Sequence, residues 1–284
     1  MNHGVRFSMD FKTLWQEGMK NWEGNLPQRM TDDGLEEKFW NQFLQDKSIQ
    51  DEPDSYISTI CEELLALISS EDEVLEIGPG WGNYTFAAAQ KAKALTCVDS
   101  SSSVLEYLAH GAQAKALSNM SFIHAKWEEV SLHKSHDVVF GVNCYYRMHE
   151  IDQALVHMNN AARRLAVIGM TSGPEKPHYW ELHETLGYRI RFARRDYIYL
   201  TNLLYELGID VNCKILDLQK TYVYDTEENF IEQNLRAIME PEYDRKKAEE
   251  ILRKYLVWVD GKPAYVHHFK AALLYWKPER IKGM

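Results

Sequence analysis

The sequence has few cysteines and no long hydrophobic run. Its four cysteines, Cys61, Cys97, Cys144 and Cys213, are scattered and never spaced C-x-x-C, which suits a reducing compartment and predicts no zinc site. No apolar stretch approaches the roughly 20 residues that cross a bilayer, and the N-terminus has no signal-peptide apolar region. We therefore expect a soluble cytoplasmic protein that neither spans a membrane nor binds a metal ion.

An excess of basic residues is also missing. The 284 residues include 42 acidic and 32 basic ones, which gives a formal net charge of -10, and Lys and Arg form no long run. Because affinity for nucleic acid comes largely from Lys and Arg on phosphates, a nucleic acid partner is disfavoured. The length suits one α/β domain with additions.

The most informative stretch is an apolar run that ends in three alternating glycines, VLEIGPGWG at residues 74–82. Glycine has no Cβ, so a glycine at every second position lets a ligand approach the backbone closely. Asn83 is expected to open the following helix, whose free N–H groups point at the occupant of the loop. The register is G-x-G-x-G, whereas dinucleotide enzymes use G-x-G-x-x-G. The carboxylate of Glu76 would repel a pyrophosphate but can pair with an ammonium group.

This turn resembles motif I of the class I S-adenosylmethionine-dependent methyltransferases, whose acid and glycines hold the amino acid end of the cofactor. The resemblance covers about residues 55–220 and the final strand. It implies that Glu76 pairs with the methionyl ammonium and that S-adenosylhomocysteine is the product. It also implies that the whole loop contacts the cofactor, namely Gly78, Pro79, Gly80, Trp81 and Gly82.

A second predicted strand, residues 94–99, ends in an acid. Asp99 lies 21 residues after Gly78, close to the roughly 20-residue interval typical of ribose-binding acids. A helix N-cap is the alternative role, and the two roles are compatible. Ser100 follows Asp99 and is included in the predicted cofactor site.

A third predicted strand, residues 120–124, is followed by Ala125, Lys126 and Trp127. In the methyltransferase pattern these positions flank the adenine. Trp127 either stacks on the purine or is a core tryptophan. Lys126 stands where the family more often has an acid, so the partner of the adenine amino group stays open.

The fourth predicted strand, residues 137–143, ends at Asn143, where the resemblance places the transferable methyl group. Amino-group methyltransferases often carry Asn-Pro-Pro-Tyr here, and this chain keeps Asn143 and Tyr146 without either proline. Methyl transfer is an in-line displacement that needs orientation and a deprotonated acceptor. If the acceptor is protonated, the general base candidates by position are Tyr146, His149 and His178. A capping or solvated role is the alternative for His149.

Strands that alternate with helices predict an α/β fold. We expect a doubly wound, mostly parallel seven-stranded sheet with helices on both faces, an N-terminal helical extension and a helical insertion before the last strand. The expected units are an extension at 1–54, a cofactor-binding core at 55–225, an insertion at 226–258 and a last core strand at 259–284. The aromatic N-terminal helices, with Trp15, Trp22 and Trp40, are either extra core or a lid. Tyr56 is predicted to reach the cofactor carboxylate.

Four arginines stand close together at positions 189, 191, 194 and 195 of this acidic chain. They form either a solvated helix end or a site for an acidic acceptor, because a guanidinium group pairs with carboxylate or phosphate.

The function predicted from these features is S-adenosylmethionine-dependent methyl transfer to a small-molecule acceptor, at an N, O or S atom. Two alternatives remain, a nicotinamide-dependent oxidoreductase and a non-catalytic S-adenosylmethionine-binding regulatory protein. A homodimer is one option for the assembly.

Overall fold

The computed structural model describes residues 9–48, 54–192 and 197–281. Its helices are α1 Phe11–Glu17, α2 Gln28–Thr31, α3 Asp33–Gln45, α4 Ser55–Leu65, α5 Thr85–Lys91, α6 Ser102–Ala114, α7 Ile151–Ala161, α8 Pro177–Leu186, α9 Tyr197–Glu206, α10 Glu227–Leu235 and α11 Arg245–Arg253. Its strands are β1 Glu73–Ile77, β2 Ala94–Asp99, β3 Met120–His124, β4 His136–Val142, β5 Ala162–Ser172, β6 Asn212–Val223, β7 Val257–Val259 and β8 Lys262–Trp276. Short 3-10 helices follow β3 and β4, at Trp127–Glu129 and Tyr145–Arg147.

The strands form one sheet in the order β3-β2-β1-β4-β5-β8-β6. Neighbouring strands from β3 to β5 are parallel, and β8 runs antiparallel between β5 and β6. The chain moves outward from β1 to β3 and then returns to place β4 on the other side of β1. Ligands of open α/β sheets bind outside the carboxyl ends of the strands at such a switch point. The predicted doubly wound, mostly parallel fold is confirmed.

The strand count differs from the predicted seven. An eighth strand, β7, pairs with the beginning of β8, and the turn between them contains Asp260 and Gly261, both with positive φ. A three-residue strand is too short to show a two-residue hydrophobic period, which is why the sequence pattern assigns Val257 and Trp258 to the helical insertion.

Both faces of the sheet are buried. Val74 of β1 packs into a cluster with α4 and α6, whereas the adjacent Leu75 packs into a cluster with α1, α7 and α9. This alternation follows from the two-residue period of a strand and explains the nearly continuous apolar sequences of β1 and β4. A third apolar cluster joins α8, α10 and α11 to Tyr265 of β8.

Several local predictions need correction or fall outside the described residues. Asn83 does not open a helix, because α5 begins at Thr85 after a turn that ends at Tyr84. Two of the four arginines, Arg194 and Arg195, lie outside the described residues. No helix in the described part of the chain is long and apolar enough to span a membrane.

Candidate active site

A cavity of about 290 Å³ lies at the carboxyl ends of the central parallel strands. Its lining includes every predicted cofactor-binding residue except Gly82, which are Tyr56, Glu76, Gly78, Pro79, Gly80, Trp81, Asp99, Ser100, Ala125, Lys126, Trp127 and Asn143. Except for Tyr56, which lies on α4, these residues stand at or just after the carboxyl ends of β1, β2, β3 and β4. The sheet brings them together because these four strands are parallel neighbours.

The glycines of the first loop are required by their backbone geometry and by close packing. Gly78, Gly80 and Gly82 have φ values of 58°, 56° and 87°, a region that L-residues other than glycine rarely adopt. A Cβ on Gly78 would lie 2.4 Å from Cβ of Cys144, so the loops after β1 and β4 touch through this glycine. A Cβ on Gly82 would instead meet Phe86 at 2.8 Å. Gly82 therefore packs the loop onto the next helix and does not line the cavity.

Glu76 places a buried carboxyl group, one oxygen of which is unpaired, in the lining of the cavity. The residue is only 2% exposed, and among the described residues its Oε2 has no hydrogen-bond partner. Burial, with a smaller contribution from the charge of Asp99, raises the pKa of Glu76 to about 8. A buried acid without a partner is costly unless a ligand compensates it. The donor set therefore fits a ligand that brings a cationic or N–H group, as the methionyl ammonium does.

Asp99 occupies the tip of β2 beside the glycine loop. Its Oδ1 accepts a 2.9 Å hydrogen bond from the N–H of Ser101, while Ser101 itself caps α6. Burial raises the pKa of Asp99 to about 6, and the backbone N–H groups of Ser101 and Gly80 partly oppose this. Ser101, and not Asp99, therefore caps α6. Asp99 links the loops after β1 and β2 through the N–H groups of Gly80 and Ser101.

Three acids on one face of helix α3, Asp33, Glu36 and Glu37, bind residues of the loops around this cavity. Asp33 pairs with Lys126 at 2.6 Å and Arg147 at 2.8 Å. Glu37 accepts hydrogen bonds from the N–H of Ser103 at 3.0 Å and from serine hydroxyl groups of the α6 N-terminus. The i, i+3, i+4 spacing of Asp33, Glu36 and Glu37 was available in the sequence as a signal for one anchoring face.

The third acid, Glu36, is buried and binds three donors. Its carboxylate accepts hydrogen bonds from Nε of Arg29 at 2.8 Å, Nε1 of Trp40 at 2.9 Å and the hydroxyl group of Tyr146 at 2.6 Å. Trp40 lies over the glycine loop, 3.2 Å from the position of a Cβ on Gly80. Sequence patterns did not identify the contact between Glu36 and Tyr146, which lie 110 residues apart.

The N-terminal tryptophans take different positions. Trp15 is core, since it is 2% exposed and its indole donates a 2.8 Å hydrogen bond to the carbonyl of Met148. Trp40 lines the first cavity. Trp22 lines a second cavity and bonds to the carbonyl of Ile190 at 2.8 Å. Trp15 therefore belongs to the core, whereas Trp40 and Trp22 each line a cavity.

Two predicted adenine neighbours have protein partners. The indole of Trp127 is buried and donates a 3.0 Å hydrogen bond to the carbonyl of Ala154, so the ring belongs to the core as well as to the cavity wall. Lys126 pairs with Asp33 of α3. The lysine at a place where the family more often has an acid thus connects to the covering helix.

The second cavity, about 1000 Å³, adjoins the first. Met30, Asn143 and Tyr146 line both. Asn143 has a φ of 55°, and its Oδ1 accepts hydrogen bonds from the N–H of Thr171 at 2.8 Å and from its hydroxyl group at 3.1 Å. These contacts fix the amide with its nitrogen turned away from Thr171. The tip of β4 is therefore the junction of the two cavities.

The structure separates the three general base candidates. Tyr146 lies at the junction. His149 is exposed, bonds to Glu150 at 2.9 Å and lines neither cavity. His178 is fully buried in α8, where its Nε2 lies 2.9 Å from Oδ1 of Asn234, and burial lowers its pKa to about 4. The structure brings neither His149 nor His178 to the cavities. His178 lies on α8, which places its ring against the third apolar cluster.

Comparison with known proteins agrees with this geometry. Residues 74–167 match the family model of a methyltransferase domain. A solved structure from Bacillus halodurans, described as a candidate methyltransferase, superposes with a TM-score of 0.53 at 15% identity and covers 79% of this chain and 99% of that one. The YcgJ protein of Bacillus subtilis gives a TM-score of 0.53 at 16% identity over 79% of this chain and 98% of that one. An uncharacterised protein of Haemophilus influenzae is 24% identical over 231 residues, which are 75% of this chain and 79% of that protein.

The fold places the glycine loop at the switch point of an open α/β sheet, where ligands of such sheets bind. The family match begins at the first residues of the glycine motif. The match identifies residues 74–167 as a methyltransferase domain, and the sheet around them has the fold of the solved candidate methyltransferase.

Proposed function

We propose that the protein transfers a methyl group from S-adenosylmethionine, held in the first cavity, to a small molecule held in the second. The observation that carries this proposal is the junction at the tip of β4, where Asn143 and Tyr146 line both cavities. A displacement reaction needs its two reactants in line at one point, and this junction is the place where two bound molecules would meet.

The cofactor site is assigned to the residues with the best chemical fit. Glu76 pairs with the methionyl ammonium, Asp99 accepts the ribose hydroxyl groups, and the glycine loop supplies close backbone contact. Tyr56, which lines the cavity, lies on the side expected for the cofactor carboxylate. When bound, S-adenosylmethionine supplies a methyl group on a positively charged sulfur.

The acceptor site is assigned to the second cavity. Its wall is mostly apolar and aromatic, with Trp15, Trp22, Tyr145, Phe192 and several methionines. Such walls, with a few polar groups, are typical of small-molecule sites. The amide nitrogen of Asn143 and the hydroxyl oxygen of Tyr146 orient the attacking atom at the junction. We leave the element of that atom open among N, O and S.

Tyr146 acts as a positioning group in this proposal. Desolvation and its hydrogen bond to Glu36 raise its pKa, so the phenol stays protonated near neutral pH and can orient an acceptor but is a poor base. An acceptor that arrives unprotonated, such as a free amine, needs no base from the protein.

The proposal is tested by cofactor titration followed by methyl transfer. S-adenosylmethionine and S-adenosylhomocysteine should each raise the melting temperature, with a stabilisation of about 2.7 kcal/mol at a hundred times Kd, and NAD should not. Radiolabelled methyl from the cofactor should then enter the small-molecule fraction of a metabolite extract. Stabilisation by NAD alone would favour an oxidoreductase. Cofactor binding without transfer to any extract would favour a regulatory protein.

A further inference from the structure

The second cavity has an unusual distribution of charge. The chain carries 42 acidic and 32 basic residues, yet among the described residues the only charged ones that line this cavity are Lys20 and Arg191. No carboxylate shares the wall with them. A cavity whose charged groups are all cationic, inside an acidic protein, is complementary to an anion.

Of the two cations, Arg191 is the one that is available. Lys20 pairs with Glu17 at 2.5 Å. Within the described ranges, no acid pairs with the guanidinium group of Arg191. Arg189, two residues earlier, bonds instead to Glu240 and Glu23, both at 3.1 Å. Arg189 is thus held in ion pairs, while Arg191 lines the cavity and has no acidic partner among the described residues.

The backbone around Arg191 is held in place. The N–H of Arg191 donates a 2.8 Å hydrogen bond to the carbonyl of Ala237. Ile190 is fully buried, and its carbonyl accepts the indole hydrogen bond of Trp22. Phe192 stacks on Trp180 with ring centroids 4.6 Å apart. A fixed backbone reduces the entropy that a ligand must remove, so Arg191 is suited to be a recognition residue.

We propose that the acceptor is an amphipathic acid, with an apolar or aromatic body in the second cavity and an anionic group that pairs with Arg191. A guanidinium group presents paired N–H donors that match carboxylate, sulfonate or phosphate oxygens. The aromatic and methionine side chains of the wall accommodate the apolar body. That the bound acid is the methyl acceptor rests on the proposed function. That the second cavity binds such an acid does not depend on catalysis.

Two fluorescent probes test the proposal without knowledge of the natural acceptor. Anilinonaphthalene sulfonate carries an anionic group on two aromatic units, and N-phenylnaphthylamine has the same rings without the sulfonate. Both should bind the wild-type protein in the presence of S-adenosylhomocysteine. Arg191→Met should weaken the sulfonate probe about tenfold, or about 1.4 kcal/mol, and change the neutral probe less than twofold. Arg191→Lys should restore part of the sulfonate affinity.

Two further variants control the experiment. Arg236→Met removes an exposed arginine at the C-terminal end of α10 and so changes the net charge equally, and it should leave both probes unaffected. Met239→Trp fills the cavity that Met239 lines and should weaken both probes, which locates them there.

Three results would overturn the inference. The first is an equal loss of affinity for both probes in Arg191→Met, and the second is an unchanged affinity for the sulfonate probe in that variant. The third is failure of the wild-type protein to bind the sulfonate probe. S-adenosylhomocysteine binding, measured by calorimetry on the same samples, separates this failure from failure of the proposed function. Retained cofactor binding with a failed probe test rejects only the acidic acceptor.

Discussion

The hydroxyl group of Tyr146 donates a 2.6 Å hydrogen bond to Oε1 of Glu36 and thereby joins the loop after β4 to helix α3. Because Tyr146 lines both cavities and Glu36 lines the first, this bond connects the covering helix to the point where the cavities meet. Removal of either partner should loosen α3 over the cofactor site.

Tyr146→Phe should lower the free energy of unfolding by about 1 kcal/mol, the usual net value of one hydrogen bond. Amide hydrogen exchange along α3 should become faster, since the helix loses one of its anchors. The control is Tyr205→Phe, whose ring is 68% exposed on α9. Equal exchange rates for α3 in both variants would show that the bond does not hold the helix.

Glu76→Gln should weaken S-adenosylhomocysteine binding at least tenfold, because a hydrogen bond to a charged group contributes about 1.5–3 kcal/mol. Calorimetry measures this affinity. The matched control is Glu73→Gln on the same strand, whose side chain is 40% exposed and pairs with Arg163. If both variants bind equally well, Glu76 does not contact the cofactor.

The stability of the ligand-free protein should depend on pH through Glu76. Its pKa is raised from 4.5 to about 8, so the folded protein keeps a proton there that the unfolded chain releases above pH 4.5. The stabilisation that this protonated carboxyl group contributes is fully present below pH 4.5 and is lost as pH rises through about 8. Relative to wild type, Glu76→Gln should gain up to about 1.4 kcal/mol per pH unit across this window. Urea denaturation at several pH values measures it, and parallel curves would contradict the shifted pKa.

The same protonation predicts proton release on cofactor binding. At pH 7 the ligand-free carboxyl group of Glu76 is largely protonated, whereas pairing with an ammonium requires the carboxylate. Binding of S-adenosylhomocysteine should therefore release up to one proton, which calorimetry detects as an enthalpy that varies with the ionisation enthalpy of the buffer. Asp99, with a pKa of about 6, adds little at this pH. A buffer-independent enthalpy would show that Glu76 is already ionised.

Gly78→Ala should destabilise the protein far more than alanine at Gly24. Both glycines have positive φ, but only Gly24 has free space around it. The new Cβ at Gly78 would lie 2.4 Å from Cβ of Cys144, whereas a Cβ on Gly24, with a φ of 78°, meets nothing within 4 Å. Gly24→Ala should cost about 1 kcal/mol from the left-handed backbone alone. Gly78→Ala should cost more than this and abolish cofactor binding. Thermal denaturation and calorimetry compare the two, and equal losses would contradict the close approach.

His178→Gln separates a structural role from a catalytic one. The buried ring lies among Tyr179, Phe230 and Tyr265 and bonds to Asn234. The variant should lower the melting temperature by several degrees, because it disturbs a packed cluster. Cofactor affinity should stay within twofold of wild type. A selective loss of methyl transfer without loss of stability would return His178 to the list of candidate bases.

Local sequence patterns were sufficient for the parts of the protein that short-range physics specifies. The run of apolar residues before Gly78 predicts β1, and the alternating glycines predict a loop that a ligand can approach. The serines at 100–103 predict the beginning of α6, which Ser101 caps, since helix caps depend on residues within a few positions. The order of strands and helices then predicts the doubly wound sheet, and the carboxyl ends of its strands predict where the site lies.

The sequence by itself therefore determined the fold class and most of the lining of the first cavity, and its glycine motif indicated the cofactor by resemblance. Only the tertiary structure decided which residue on α3 reaches which loop, for example that Lys126 pairs with Asp33 and that Tyr146 bonds to Glu36. It also decided that His178 lies in a buried cluster, away from both cavities. The physical reason is that hydrophobic period, caps and glycine turns act over a few residues, whereas a pairing across about a hundred residues depends on how whole helices pack on the sheet.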